Sequence, residues 1–397
     1  MTKARYFKLI LILGSLTALG PFSIDMYLPG FSGIALDLNT SVAKVAMTLS
    51  SYFIGISAGQ LLYGPLLDRF GRKKPLFIGL LVYILASLGC VFVKDIDTFI
   101  GLRFIQAVGS CAATVASVSM VRDLFPVRDI PKVFSLLMLV VGLSPMLAPT
   151  VGGFVTDAYG WHTVFFILMC IGIVILLASH FGLPNSYTPD TSISLKPKPI
   201  LTNFWNVLKE PQFYTYTFTG AIAFSGLFTY VAASPILFMD ILKVDAKTYG
   251  LIFAFMSLSF ISASQLNSYL LRWFSSEQMI FGALITQSVI AITFLILAIN
   301  QLLGMYETIA MLFLFLGCLG ISNPNTAGLT LAPFAKNAGS ASALMGAIQL
   351  GFGALASFAV GMFVKDSMIP MTVIMTVSTI TALIVLTIGK RTITVKY

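Results

Sequence analysis

Charge is what this chain has least of. Only 10% of its 397 residues are Asp, Glu, Lys or Arg, and 15 are acidic, against a charged share of about 25% in soluble globular domains. With 57% hydrophobic residues and a mean hydropathy of +0.94, that scarcity excludes a soluble globular protein. Histidine and cysteine are rarer still. His162 and His180 stand apart near the two ends of one apolar run, so no metal-ligand constellation is expected. Cys90, Cys111, Cys170 and Cys318 each fall inside an apolar run with no paired spacing, which reads as small buried apolar residues and predicts no disulfide. No nucleophile and base pair, metal-ligand set or phosphate-binding loop is visible, which argues against an enzyme and against a bound cofactor.

Long apolar runs are what the sequence has instead. Stretches long enough to cross about 30 Å of hydrocarbon as helices lie near residues 7–29, 45–66, 75–93, 98–121, 132–156 and 162–181, and again near 212–240, 248–270, 278–298, 307–330, 339–364 and 371–389. The fold class this predicts is an all-α polytopic membrane protein. Ser57-Ala58-Gly59-Gln60-Leu61 in the second run reappears as Ser262-Ala263-Ser264-Gln265-Leu266 in the eighth, and Pro29 is echoed by Pro235. An offset of about 205 residues between matching spans predicts two pseudo-symmetric six-helix bundles, 1–185 and 211–397, with any binding site at the interface between them. Residues 186–210 form the expected cytoplasmic linker, because Pro189, Asp190, Pro197, Lys198 and Pro199 cannot sit in lipid. Its last part, with Trp205, is expected as a short helix on the membrane surface.

A net charge of +9 invites a nucleic-acid partner, but its distribution argues against one. Apart from Arg103, the lysines and arginines sit in loops, tails and helix ends. Only Lys44, Lys94, Lys243, Lys247 and Lys365 fall on one side, and the rest, from Lys3, Arg5 and Lys8 to Lys390 and Lys396, fall on the other. This asymmetry predicts that both termini are cytoplasmic. Lys3, Arg5 and Lys8 ahead of an apolar run also suit a signal peptide, but the run is too long and contains Asp25, so it reads as a retained first span.

Asp25 lies inside that first run. A lipid-facing carboxylate there costs roughly 2.5 to 3.5 kcal/mol, so Asp25 must face protein or water, as a functional group or as an interfacial residue near the span's end. Arg103 lies about five residues inside the fourth run, and Asp25 about five residues before the end of the first. Successive spans alternate in direction, so both come out about 7 to 8 Å below one surface, and contact between them is expected. Gln106 shares Arg103's helix face one turn on.

Five other segments stand out. Gly64 to Lys74 reads as a tight turn needing Gly64 and Gly71, with Asp68 accepting from Arg72 or capping a helix end, and with Arg69 beside it. Pro145 and Pro149, followed by Gly152 and Gly153, bend the fifth span, as a fixed kink or as a gating hinge. Small residues after Gly109 allow close helix packing. Asn323-Pro324-Asn325 suggests a polar lining or a locally opened helix, and Gly339 to Gly346 starts the next span with small residues.

Together these segments resemble the major facilitator superfamily and, within it, the bicyclomycin-resistance type (Bcr/CflA) of proton-coupled drug exporters, over essentially the whole chain. The resemblance is most specific in Asp25 to Pro29, the Gly64 to Lys74 segment, Arg103 with Gln106, Pro145 to Gly153, and Asn323 to Asn325 with Gly339 to Gly346. Ala107 and Ala148 stand where the family pattern has glycine, and Asp25 is the only acid in its span, so no export of divalent cations is implied. The resemblance implies an alternating-access antiporter of the bacterial inner membrane, monomeric, exporting small apolar drugs in exchange for protons. Asp25 and Arg103 would couple to the proton; Met26, Tyr27, Gln106, Phe224, Tyr230 and Asn323 are candidates for the drug cavity, or for plain packing. A metabolite or sugar uptake symporter is the alternative on the same fold.

Overall fold

A computed structural model describes residues 3–126, 129–184, 187, 189, 197–334, 338–364 and 367–394. Much of the expected linker therefore lies outside the described residues. Lipid offers no partner to backbone N–H and C=O groups, so apolar runs of this length satisfy themselves as helices. The helices are α1 (Lys3–Asp25), α2 (Phe31–Asp37), α3 (Val42–Phe70), α4 (Lys73–Val91), α5 (Ile96–Leu124), α6 (Ile130–Tyr159), α7 (Trp161–Gly182), α8 (Pro197–Leu208), α9 (Pro211–Pro235), α10 (Ala246–Leu270), α11 (Ser276–Ile299), α12 (Met305–Leu331), α13 (Ala338–Phe363) and α14 (Ile369–Thr394). A 3-10 turn at Leu28–Gly30 joins α1 to α2, and a π turn at Ile236–Ile241 extends α9. Among the described residues, twelve spans are long and apolar enough to cross a membrane, α1 with α2 counting as one.

Polar residues start the helices where the chain leaves lipid. Ser41, Asp95 and Asp245 cap α3, α5 and α10 by accepting backbone N–H bonds, and Ser275 with Gln278 forms a capping box on α11. The Thr98 N–H holds the Asp95 carboxyl below the usual carboxylate range, and the Thr248 hydroxyl does the same for Asp245.

The Gly64 to Lys74 segment differs from its expected form. Gly64, Pro65, Asp68 and Arg69 all belong to α3, which runs through to Phe70 despite Pro65. The turn is confined to Gly71 and Arg72, and the φ of +81° at Gly71 suits glycine. Likewise α12 continues unbroken through Pro324. Neighbouring spans supply the packing that lets membrane helices absorb such residues.

In the first half α1 packs on α5, α6 and α7, while α3 and α4 flank α5; in the second, α9 packs on α12, α13 and α14, with α10 and α11 against α12. Two seams join the halves, α3 against α13 and α6 against α10. Twelve spans return the chain to the side on which it began, here called the terminal face; the opposite side is the far face.

Candidate functional site

Arg103 is fully enclosed in the first half, at 0% exposure. Its guanidinium donates to Gln106 Oε1 and, from Nη2, to the carbonyl oxygen of Ser23 at 2.9 Å. Two rings lie close to it, Tyr27 at 4.3 Å and Tyr52 at 4.2 Å, with Phe165 at 5.7 Å. A desolvated cation over an aromatic face gains about 2 kcal/mol per ring. Each partner is itself fixed: Tyr27 hydroxyl to Thr48 Oγ1 at 2.7 Å, Tyr52 hydroxyl to Ser110 Oγ at 2.8 Å, and Gln106 Nε2 donating to Ser87 Oγ at 2.8 Å. Nε alone is left without a partner.

Asp25 is not among these partners, which corrects the expected contact. Arg103 does reach the level of Asp25, bonding a carbonyl two residues before it, but the carboxylate is directed elsewhere. Asp25 is 5% exposed and makes no ion pair among the described residues; it lies within electrostatic reach of Tyr230 and Tyr249, both in the second half. The Tyr249 hydroxyl is bonded to Ser234 Oγ at 2.8 Å, whereas the Tyr230 hydroxyl is buried without a partner. A carboxyl enclosed between two halves with no cation beside it is strongly penalised when ionised.

What encloses Asp25 is the closed far face. Gly152 lies so close to the carbonyl of Met26 that no Cβ fits there, and a Cβ at Gly250 would come 2.6 Å from the carbonyl oxygen of Pro149. Around this close approach, Thr150 Oγ1 donates to the Gly250 carbonyl at 3.2 Å and Ser32 Oγ to Asp240 Oδ1 at 3.0 Å. Pro149 sits inside α6, so Pro145 and Pro149 shape the helix that carries one side of this seam, and Gly153 meets Ala246 on the other half.

At the terminal face Arg72 is wedged between two carboxylates. It donates from Nη1 to Asp68 on α3 and from Nε to Asp123 Oδ2 on α5 at 2.8 Å, with the Tyr187 ring 4.0 Å away. Asp123, 51 residues along, went unnoticed in the sequence; no local spacing announces it. A cavity of about 690 Å³ opens beside this cluster, between α3 and α5 on one side and α8 and α13 on the other. Asn203 of α8 donates to Ser340 Oγ at 2.9 Å at its mouth.

None of the six residues expected at a drug cavity lines this one. Tyr27 and Gln106 are enclosed around Arg103, and Met26 is sealed against Gly152. Tyr230 stacks on Phe253 at 5.3 Å, and Phe224 packs edge-on to Phe228 at 5.4 Å. Asn323 accepts from Gln349 at 3.1 Å beside a void of only about 10 Å³. Met26, Tyr27, Gln106 and Tyr230 are buried while Phe224 and Asn323 are half-buried, and the open volume lies nearer the terminal ends of the helices. The residues expected to gate, by contrast, divide between the two faces: Pro145, Pro149, Gly152 and Gly153 at the far seam, and Gly64, Asp68, Arg69, Gly71 and Arg72 at the terminal one.

Comparison with known proteins agrees with this architecture. The family model described as Major Facilitator Superfamily matches residues 13–360. A bicyclomycin resistance protein homolog of Haemophilus influenzae is 32% identical over 365 residues, 92% of this chain and 92% of that protein. The multidrug resistance protein MdtL of Klebsiella pneumoniae is 29% identical over 346 residues, 85% of this chain and 84% of that one. A crystal structure of a D-xylose-proton symporter superimposes with a TM-score of 0.75 at 14% identity, covering 95% of this chain and 97% of that one, a likeness of fold.

Proposed function

The chain belongs to the Major Facilitator Superfamily and is a transporter of small molecules, not an enzyme; from that premise we propose that it is a proton-coupled drug exporter of the bacterial inner membrane. The names of its relatives, for bicyclomycin resistance and multidrug resistance, support export. The charge asymmetry supports placing the terminal face in the cytoplasm, so the 690 Å³ cavity receives cargo from inside. The bundles 1–185 and 211–397 rock as units, joined by the linker 186–210, in a monomer that needs no cofactor.

The observation that carries the coupling is the enclosure of Asp25 between the halves without a cation. When the far seam parts, Asp25 meets outside water and takes a proton, and the neutral carboxyl is the form that the closing seam can enclose. Release of the proton toward the cytoplasm leaves a charge that the closed seam tolerates poorly, which favours reopening outward with cargo aboard. Each proton moved inward across 100 mV supplies about 2.3 kcal/mol. Arg103 acts by holding α1 against α5 at the level of Asp25. Everted membrane vesicles test the direction: an exporter accumulates drug when the vesicles are energised, and an uptake symporter does not.

A further inference from the structure

Tyr230 on α9 carries a polar end that nothing around it uses. Its ring is buried and stacks on Phe253 of α10 at 5.3 Å, while its hydroxyl is enclosed without a hydrogen-bond partner. Buried tyrosines nearly always bond that hydroxyl, and phenylalanine would fill the same volume without the penalty of an unmet polar group. The neighbouring Tyr249 shows the ordinary case. Its ring lies 6.1 Å from Phe253, and its hydroxyl is bonded to Ser234 Oγ at 2.8 Å.

Asp25 is the second unmet group at this seam, buried at the end of α1 with no hydrogen bond or ion pair among the described residues. The fold brings the two together. The Leu28–Gly30 turn that follows Asp25 packs on α10, and α6 touches both sides, with Gly152 at the Met26 carbonyl and the Pro149 carbonyl at Gly250. Asp25 and Tyr230 also stand at matching places in the two repeats, at the offset of about 205 residues, which gives them one depth on opposite sides of the seam. They lie within electrostatic reach of each other. Their chemistry is complementary, because a phenol O–H donates, an ionised carboxylate only accepts, and a bond to a charged acceptor is about twice as strong as one to a neutral group.

We propose that the Tyr230 hydroxyl donates across the halves to the Asp25 carboxylate in the step that releases its proton, an inference that rests on the export reading above. The carboxyl O–H bond of Asp25 breaks, the proton passes to water on the terminal side, and the electron pair stays on the carboxylate, which the Tyr230 O–H then meets. Tyr230 keeps its own proton throughout and acts as a positioning residue. One hydroxyl eases that charge without cancelling it, so the drive to reopen outward remains.

The test uses the full chain in everted vesicles, with an uncharged coumarin and rhodamine 6G as cargo. It compares accumulation driven by a pH gradient with counterflow, in which drug exchanges for drug and no net proton is released. In Tyr230→Phe the driven kcat should fall about tenfold, the scale of one hydrogen bond to a charged group, with KM and counterflow within about twofold of wild type. The unfolding midpoint in detergent should not fall, because no bond is lost. Tyr249→Phe does lose a bond, so it should lower that midpoint and leave the ratio of driven transport to counterflow unchanged. Unchanged driven transport in Tyr230→Phe overturns the assignment while export stands. Equal falls in both modes, or a raised KM, mark a packing or cargo contact and overturn it too, as does an equal loss of the ratio in Tyr249→Phe. Accumulation of neither dye by the wild type overturns export and this inference together.

Discussion

Arg103 Nη2 donates to the carbonyl oxygen of Ser23 at 2.9 Å, two residues short of the carboxylate at Asp25, and the two charges inside the spans stay unpaired with each other. One is fixed within a single half. The other sits where the halves meet, within electrostatic reach of Tyr230 and Tyr249.

Asp25→Asn keeps the size and removes the titration. Counterflow of drug down its own gradient should persist, while accumulation driven by a pH gradient should fall to passive equilibration. Uphill accumulation by this variant in everted vesicles would move the coupling site elsewhere.

Arg103 and Tyr52 share a contact, whereas Arg103 and Asp25 do not. Stability cycles in detergent should therefore give a coupling of about 0.5 to 3 kcal/mol between Arg103→Lys and Tyr52→Leu, and less than about 0.5 kcal/mol between Arg103→Lys and Asp25→Asn. The reverse order would mean that Asp25 joins the Arg103 cluster.

Gly250→Val drives a side chain into the backbone at Pro149. Overpacking of this kind costs about 1 to 3 kcal/mol, and only the closed far seam bears it, so the far-open population should rise about 5- to 150-fold. A cysteine placed at Ser32, otherwise bonded to Asp240 across the halves, should react faster with a membrane-impermeant maleimide from the far side. Unchanged labelling would show that the seam does not gate that face.

The two carboxylates on Arg72 should respond unequally. Asp123 is 14% exposed and Asp68 44%. Breaking an enclosed pair costs about 3 to 5 kcal/mol, a surface pair about 1 or less. Asp123→Asn should lower the unfolding midpoint clearly, whereas Asp68→Asn should leave it near wild type and slow transport with drug binding retained. Full transport by Asp68→Asn would reduce its contact to a simple turn feature.

The spans were legible because a run of apolar residues has few other uses. Depth was legible too: counting residues put Arg103 and Asp25 at one level, and the Ser23 bond agrees. Facing was not, since a rise of 1.5 Å per residue forgives an error of one position while a rotation of 100° does not. Gly64 reads as a turn residue because glycine is free in its backbone, and Pro324 between two asparagines as an interruption because proline breaks isolated helices; packed among other spans, α3 and α12 carry them without a break. Asn323 and Asn325 find separate partners, Gln349 and Asn267. Asp123 meets Arg72 only through the fold, so no spacing in the sequence pointed to it.

Arg103 is held inside its own bundle, its charge met by Gln106, the Ser23 carbonyl and two tyrosine rings. Its charge rides with that bundle and keeps one depth. In the exchange proposed above, the membrane field, worth about 2.3 kcal/mol per elementary charge per 100 mV, therefore acts on the proton and on any charge that the cargo carries. A proton entering against an uncharged cargo moves one charge per cycle, so voltage drives it, whereas a proton traded for a monovalent cation carries no net current. The electrical signature of the cycle is written by what crosses, and not by the helices that move.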